Sequence, residues 1–105
     1  MNNKLTNITL ILKKLMSYQT TEDKKEEFEQ LFNYIKSIIP KNLYITDYEF
    51  DGKKSVVISN TKSKKLDLIF CTHIDVVPAE KYECIETATQ IKGRGSFDMK
   101  GSVAV

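Results

Sequence analysis

Hydrophobic side chains in the first forty residues recur at intervals of three and four. Between Leu5 and Met16 this spacing describes one face of an amphipathic helix. A second stripe of the same period consists of Phe28, Leu31, Phe32, Ile35, Ile38 and Ile39. Thr20 or Thr21 is the predicted N-cap of this second helix, and Pro40 ends it near Ile39. The chain is therefore expected to begin with two helices.

After Pro40 the period changes to two. The segment "LYITDYEF" alternates as a strand does, and "DG" at Asp51 and Gly52 supplies a hairpin turn before the second arm, "KKSVVISN". The next apolar run, "LDLIFC" at residues 66–71, is nearly continuous, which predicts a strand buried on both faces. This order of elements predicts an α/β fold, with a mixed sheet and flanking helices.

Length and composition limit the classes of protein that fit. The 105 residues match one small domain or part of a larger one, and 41% hydrophobic with 29% charged residues is typical of globular chains. A net charge of +2 gives no electrostatic reason to expect a nucleic acid or a membrane as a partner. The amino-terminal apolar positions are interrupted by Asn, Thr and Lys, unlike a signal peptide, so a cytoplasmic location is predicted.

The two cysteines carry little information about chemistry. Cys71 and Cys84 form no Cys-x-x-Cys pair and are too few for a disulfide framework. Because Cys71 ends the apolar run, and free cysteine is among the most buried residue types, we expect it to be a buried structural thiol.

The phrase "CTHIDVVPAE" contains the single histidine of the chain, His73, with Asp75 two positions later. Both follow the predicted buried strand, at the edge where open α/β sheets place their ligand sites. In an extended chain the two side chains point the same way, so His73 could bind a metal through one nitrogen while Asp75 accepts a hydrogen bond from the other. The alternative is a histidine that is only hydrogen-bonded, since buried polar groups need partners in any case.

A second phrase, "GRGSFDMKG" at residues 93–101, surrounds one carboxylate, Asp98, with three glycines. Glycines allow backbone geometries that would let this carboxylate approach a metal, although an ordinary glycine turn has the same composition. A dinucleotide-binding loop would need glycine in place of Asp98, and the Gly-Lys-Ser/Thr of a P-loop is absent. The His-Glu-x-x-His signature and paired zinc-binding cysteines are also absent.

Taken together and in this order, "THIDVVP" and "GRGSFDMKG" resemble the cocatalytic dizinc amidohydrolase and peptidase family. That family includes acetylornithine deacetylase, succinyl-diaminopimelate desuccinylase, aminoacylase and glutamate-releasing carboxypeptidases. The resemblance implies that His73 ligates one zinc, that Asp75 orients His73 in a catalytic role, and that Asp98 bridges two zinc ions. It also implies a cis peptide bond between Asp98 and Met99, within a zinc-peptidase-like catalytic domain.

The activity implied by the resemblance is hydrolysis of an amide bond in an N-acyl amino acid or a small peptide. Metal-bound water of lowered pKa and a polarised carbonyl would drive the reaction, and cobalt or manganese are alternatives to zinc. In the family the general base and the remaining ligands follow the bridging aspartate. Glu80, Glu83 and Glu86 precede Asp98 and are interpreted as solvated loop carboxylates.

Residues 1–105 are accordingly interpreted as the amino-terminal portion of a single metallohydrolase catalytic domain. The inserted dimerisation domain and the remaining catalytic segments of the family are absent, and the complete enzyme could be a homodimer. With at most two zinc ligands, the chain alone is expected to be inactive. The alternative is a non-catalytic binding module or a truncated remnant of such an enzyme. The interval between His73 and Asp98 is shorter than in most family members, which leaves the substrate open.

Overall fold

The computed structural model describes residues 3–105, and its first two elements are helices. Helix α1 spans Asn3–Met16 and helix α2 spans Lys25–Ile38, so both predicted helices are confirmed. The predicted N-caps of α2 are wrong, because α2 begins at Lys25. The Thr20 and Thr21 hydroxyls donate instead to the Ile74 carbonyl and the Asp23 carboxylate. No helix within residues 3–105 is long and apolar enough to cross a bilayer.

The predicted hairpin is also confirmed. Strand β1 (Tyr44–Phe50) pairs antiparallel with strand β2 (Lys53–Ser59), in a register that sets Phe50 opposite Lys53. Asp51 and Gly52 have φ angles of 52° and 74°, the left-handed pair that a type I′ turn requires. An Asp-Gly sequence reaches this geometry at low cost, since aspartate tolerates it and glycine has no Cβ to clash.

The buried strand predicted at residues 66–71 is wrong. This segment has neither helical nor strand structure, and Leu68, Ile69 and Phe70 are 70%, 66% and 86% exposed. A strand needs a neighbour to pair its backbone, and no strand within residues 3–105 pairs with this run. Cys71 is exposed for the same reason, contrary to the prediction of a buried thiol.

The remaining elements lie near the carboxyl end. Two short strands that the pattern did not predict, β3 (Ile85–Glu86) and β4 (Ile91–Lys92), form a second antiparallel pair. Helix α3 spans Gly101–Ala104. The α/β composition is therefore confirmed, but the strand pairs of residues 3–105 are all antiparallel, so the predicted mixed sheet is not formed there.

The chain divides into two compact units, Met1–Leu31 with Cys71–Val105 and Phe32–Phe70. The buried hydrophobic side chains all belong to the first unit: Leu15, Met16, Leu31, Val76 and Ala104. That unit also buries three polar or charged residues, Thr20, Thr21 and Lys100. The second unit contains the end of α2 and the β1–β2 hairpin, and none of its side chains is buried. The residues predicted to carry chemistry lie in the first unit.

Candidate metal centre

The imidazole of His73 lies between two aspartates. Its Nε2 atom is 2.9 Å from Oδ1 of Asp98, and its Nδ1 atom is 3.2 Å from Oδ1 of Asp75. The Asp75 backbone carbonyl is also 3.2 Å from Nδ1. The structure thus brings together the three residues singled out in the sequence, with one aspartate on each ring nitrogen.

The short stretch from His73 to Asp75 lies in neither a helix nor a strand. Asp75, two positions after His73, places both its backbone carbonyl and its carboxylate at the Nδ1 edge of the ring. The edge bearing Nε2 is left free to face Asp98. The spacing of two positions is therefore sufficient to place one carboxylate, but the other depends on a separate part of the chain.

Asp98 is presented by a wide turn over Ser96–Lys100, in which Asp98 and Met99 depart from helical backbone angles. The peptide bond between them is cis, as the resemblance implies. Gly95 begins the turn at φ 84°, and a Cβ there would lie 2.8 Å from Cγ1 of Val76. The glycine is needed both for its left-handed backbone and for this close approach. The turn closes with a hydrogen bond of 2.9 Å from the Lys100 amide to the Gly95 carbonyl.

Thr20 fixes the backbone on both sides of Asp75. Its hydroxyl donates to the Ile74 carbonyl at 2.5 Å, and its own carbonyl accepts a hydrogen bond from the Val76 amide at 2.9 Å. Thr20 is fully buried, so these backbone groups would have no water to replace it. The segment after α1 therefore sets the position of Asp75 through two directional contacts.

Lys100, which lies in the same turn as Asp98, is hydrogen-bonded to the segment that follows α1. Its ammonium group donates to the Tyr18 carbonyl at 2.6 Å, and the residue is 1% exposed. Burial lowers the pKa of Lys100 to about 8, and the charge of Glu27 opposes that shift. A buried ammonium is an uncommon feature, because the loss of hydration must be offset by hydrogen bonds and nearby charge.

The electrostatic surroundings favour a positive charge at the ring of His73. Loss of hydration lowers its pKa, but the Asp98 hydrogen bond, the Asp75 carbonyl and the charges of both aspartates together raise the pKa above its ordinary value. In the protonated ring both nitrogens donate, Nδ1 to Asp75 and Nε2 to Asp98. A cation bound at Nε2 would replace the proton there, and the negative charges of Asp75 and Asp98 would attract it in the same way.

The residues present fit a zinc ion in type and spacing, but are too few. Imidazole nitrogen and carboxylate oxygen are ordinary zinc ligands, and metal bonds of 2.0–2.2 Å at tetrahedral angles separate two ligand atoms by about 3.4 Å. The 2.9 Å between Nε2 and Oδ1 of Asp98 needs only a small opening to reach that value. Within residues 3–105, however, no group of three or more His, Cys, Asp or Glu side chains is arranged to hold a metal.

An open cleft of about 480 Å³ adjoins Asp75. Its lining consists of Glu22, Asp23, Asp75, Val76, Val77 and Pro78. Three carboxylates on one cleft oppose the approach of anionic groups and favour water or cations there. Glu80, Glu83 and Glu86, which the sequence suggested were solvated carboxylates, are not part of this lining. Glu80 and Glu83 are exposed, as is Glu86, which pairs with Lys13 at 2.6 Å.

Sequence reasoning did not identify Thr20 or Lys100 as part of the site. The sequence predicts Thr20 only as a helix cap and makes no prediction for Lys100. One signal was available for the lysine, which stands two positions after Asp98 inside the glycine-rich phrase. No comparable signal exists for Thr20, because its contact partners lie more than fifty positions away.

Comparison with known proteins assigns no family to the chain. No protein-family profile matches it, and no curated protein sequence matches it.

Proposed function

We propose that this chain contributes one half of a dizinc centre that hydrolyses an amide bond. The observation that carries the proposal is the placement of Asp75 on Nδ1 and Asp98 on Nε2 of the single histidine. Two segments that are remote in sequence meet at the ring, each with the residue that the family pattern requires. A histidine held only for structure needs one hydrogen-bond partner, and this exposed ring has two carboxylates.

In this proposal each residue has a distinct task. Asp75 keeps the ring proton on Nδ1 and fixes the plane of the imidazole, so that the Nε2 lone pair faces Asp98. His73 would ligate one zinc ion, and the carboxylate of Asp98, which has two oxygens, would be shared between two. The zinc ions, when bound, supply a water of lowered pKa and polarise the amide carbonyl.

The chain is proposed to be the amino-terminal portion of one zinc-peptidase-like catalytic domain. One feature supports this: His73 and Asp98 are fewer ligands than a catalytic zinc site uses. Further segments would supply the general base and the other ligands.

The proposed substrate is an N-acyl amino acid or a small peptide. The acidic cleft beside Asp75 would not attract the carboxylate of such a substrate, so recognition of that carboxylate falls to groups outside these residues. Deacetylase, desuccinylase and peptidase activities are all compatible with this arrangement.

The proposal is tested in the protein produced from the whole reading frame. The enzyme is assayed with zinc or cobalt against a panel of N-acetyl and N-succinyl amino acids and dipeptides. His73→Ala and Asp98→Ala are expected to abolish metal-dependent hydrolysis, whereas the matched control Asp47→Ala, on exposed strand β1, retains it. Unchanged activity in either site variant would remove that residue from the centre.

A binding module without catalytic activity is the second candidate. It is favoured by one observation, the absence of a third metal-binding side chain around His73 within residues 3–105. In that case a divalent cation would bind at His73 with equal affinity in the 105-residue chain and in the protein from the whole reading frame. The enzyme proposal predicts much tighter binding in the latter, because more ligands are present.

A further inference from the structure

The short segment that follows helix α1 contacts both halves of the candidate centre. Tyr18 receives the ammonium of Lys100 on its carbonyl, and Thr20 holds the backbone on each side of Asp75. Only Gln19 separates these two contact points. The Asp98 turn and the His73 loop are thus attached, through separate hydrogen bonds, to neighbouring peptide units of one segment.

The two residues that donate these hydrogen bonds are buried, although His73 and Asp98 are exposed. Thr20 and Lys100 are 0% and 1% exposed, whereas the side chains of His73 and Asp98 are 45% and 81% exposed. Because the side chains of His73 and Asp98 are exposed, few packing contacts fix their positions. The distance between them must therefore be set by the backbone that carries each residue. The backbone beneath this pair is fixed by Thr20 on one side and by Lys100 on the other.

We propose that Tyr18–Thr20 is a brace that sets the distance between His73 and Asp98, with Thr20 and Lys100 as positioning residues. The inference rests on the proposed metal function and adds two residues that do not touch the metal. Each acts through another group, Thr20 through the backbone of Asp75 and Lys100 through the turn that bears Asp98. Residues that orient metal ligands in this way typically contribute about 10- to 100-fold to metal affinity.

The test uses the fact that His73 is the single histidine of the chain. Its ring nitrogens give unambiguous signals in long-range ¹H–¹⁵N spectra, both with and without metal. Zinc is titrated into the 105-residue chain, with Cys71 and Cys84 replaced by serine in every variant because these exposed thiols would compete for the ion. Far-UV circular dichroism confirms that each variant is folded.

Four variants separate positioning from general stability. Thr20→Val removes the hydroxyl at nearly constant volume, and Thr20→Ser restores it. Lys100→Met releases the brace from the other side and serves as the second route if Thr20→Val does not fold. Thr46→Val, on exposed strand β1, is the matched control for the same chemical change.

The brace predicts that Thr20→Val and Lys100→Met each weaken zinc binding at His73 by about tenfold or more, while Thr20→Ser and Thr46→Val stay within about threefold of the parent. It also predicts that the metal-free ring signals of His73 move toward those of a free imidazole in the two disruptive variants only. Folded disruptive variants with parental zinc affinity and parental ring signals would overturn the brace.

Absence of zinc binding gives a different result. If zinc never perturbs the His73 signals of the parent, His73 and Asp98 alone do not bind the ion. The brace is then decided by the metal-free spectra alone. A shift confined to Thr20→Val and Lys100→Met supports it, and unchanged spectra overturn it.

Discussion

Two segments of this chain reverse the usual relation between hydrophobicity and burial. Tyr18–Thr21 is polar, yet Thr20 and Thr21 are among the most buried residues of their unit. Leu66–Phe70 is one of the most apolar stretches, yet its large side chains are exposed. The polar segment is buried because its hydrogen bonds are satisfied, by the Ile74 carbonyl for Thr20 and the Asp23 carboxylate for Thr21. The apolar run is exposed because no strand within residues 3–105 pairs with it.

The difference shows that burial follows from partners more than from residue type. A polar group can enter a core when each donor and acceptor finds a partner, and an apolar group stays outside when none is offered. The candidate centre is attached to the buried polar segment, Tyr18–Thr21.

The hydrophobic side of the contrast is tested by one substitution at two positions. Leu15→Ala should lower the free energy of unfolding by about 2–5 kcal/mol, because Leu15 is buried in the first unit. Leu68→Ala should change it by less than about 0.5 kcal/mol, because that side chain is already in solvent. Chemical denaturation followed by circular dichroism measures both, and equal losses would contradict the assignment of Leu66–Phe70 as exposed.

Lys100 makes the stability of the first unit depend on pH. Its pKa is about 8 in the folded chain and ordinarily 10.5, so between these values the unfolded chain binds more protons. The free energy of unfolding should therefore rise with pH across this window, by up to about 3 kcal/mol. Other groups titrate in the same range, so the measured quantity is the difference between the parent and Lys100→Met. Parallel pH profiles for the two proteins would show that the ammonium is not buried as described.

The polar side of the contrast is tested at Thr20. Thr20→Val leaves the part-buried Ile74 carbonyl without its donor, which should cost about 1–3 kcal/mol. The same change at exposed Thr46 should cost less than about 0.5 kcal/mol, since valine is well suited to a strand. Denaturation midpoints compare the pair, and a loss at Thr46 as large as that at Thr20 would refute the role assigned to the buried hydroxyl.

The smallest effect is expected at the exposed ion pair between Lys13 and Glu86. Hydrogen bonding and charge from Glu86 raise the pKa of Lys13, but both side chains are solvated and screened by salt. Glu86→Gln should leave the thermal midpoint unchanged, in low salt and in 1 M salt alike. A clear loss that disappears at high salt would show that surface charge contributes more to this unit than its exposure indicates.

Several local signals predicted local features correctly, although the N-cap predicted at Thr20 or Thr21 is wrong. The stripe around Leu15, the period of two before Asp51 and the turn chemistry of Gly52 each act within a few residues, and each corresponds to the observed element. The spacing of His73 and Asp75 likewise predicted that both would face the same side. These features depend on backbone geometry that neighbouring residues determine.

Strand pairing and contacts between residues remote in sequence could not be predicted from local patterns. The buried strand at residues 66–71 was inferred from hydrophobicity alone, but a strand exists only with a neighbour, and the pattern does not show whether one is available. The contacts of Thr20 with Ile74 and of Lys100 with Tyr18 join residues more than fifty positions apart. Residue type gave no indication of them, because threonine and lysine are usually solvated.

His73 and Asp98 are proposed to hold a metal ion together, and the ring nitrogens of His73 report on its binding most directly. On addition of zinc, long-range ¹H–¹⁵N spectra should show metal binding at Nε2 with the proton retained on Nδ1, beside Asp75. In Asp98→Asn, which keeps the size of the side chain, zinc should bind at least about tenfold more weakly. Ring signals that do not respond to zinc, or an equal response in Asp98→Asn, would contradict the account.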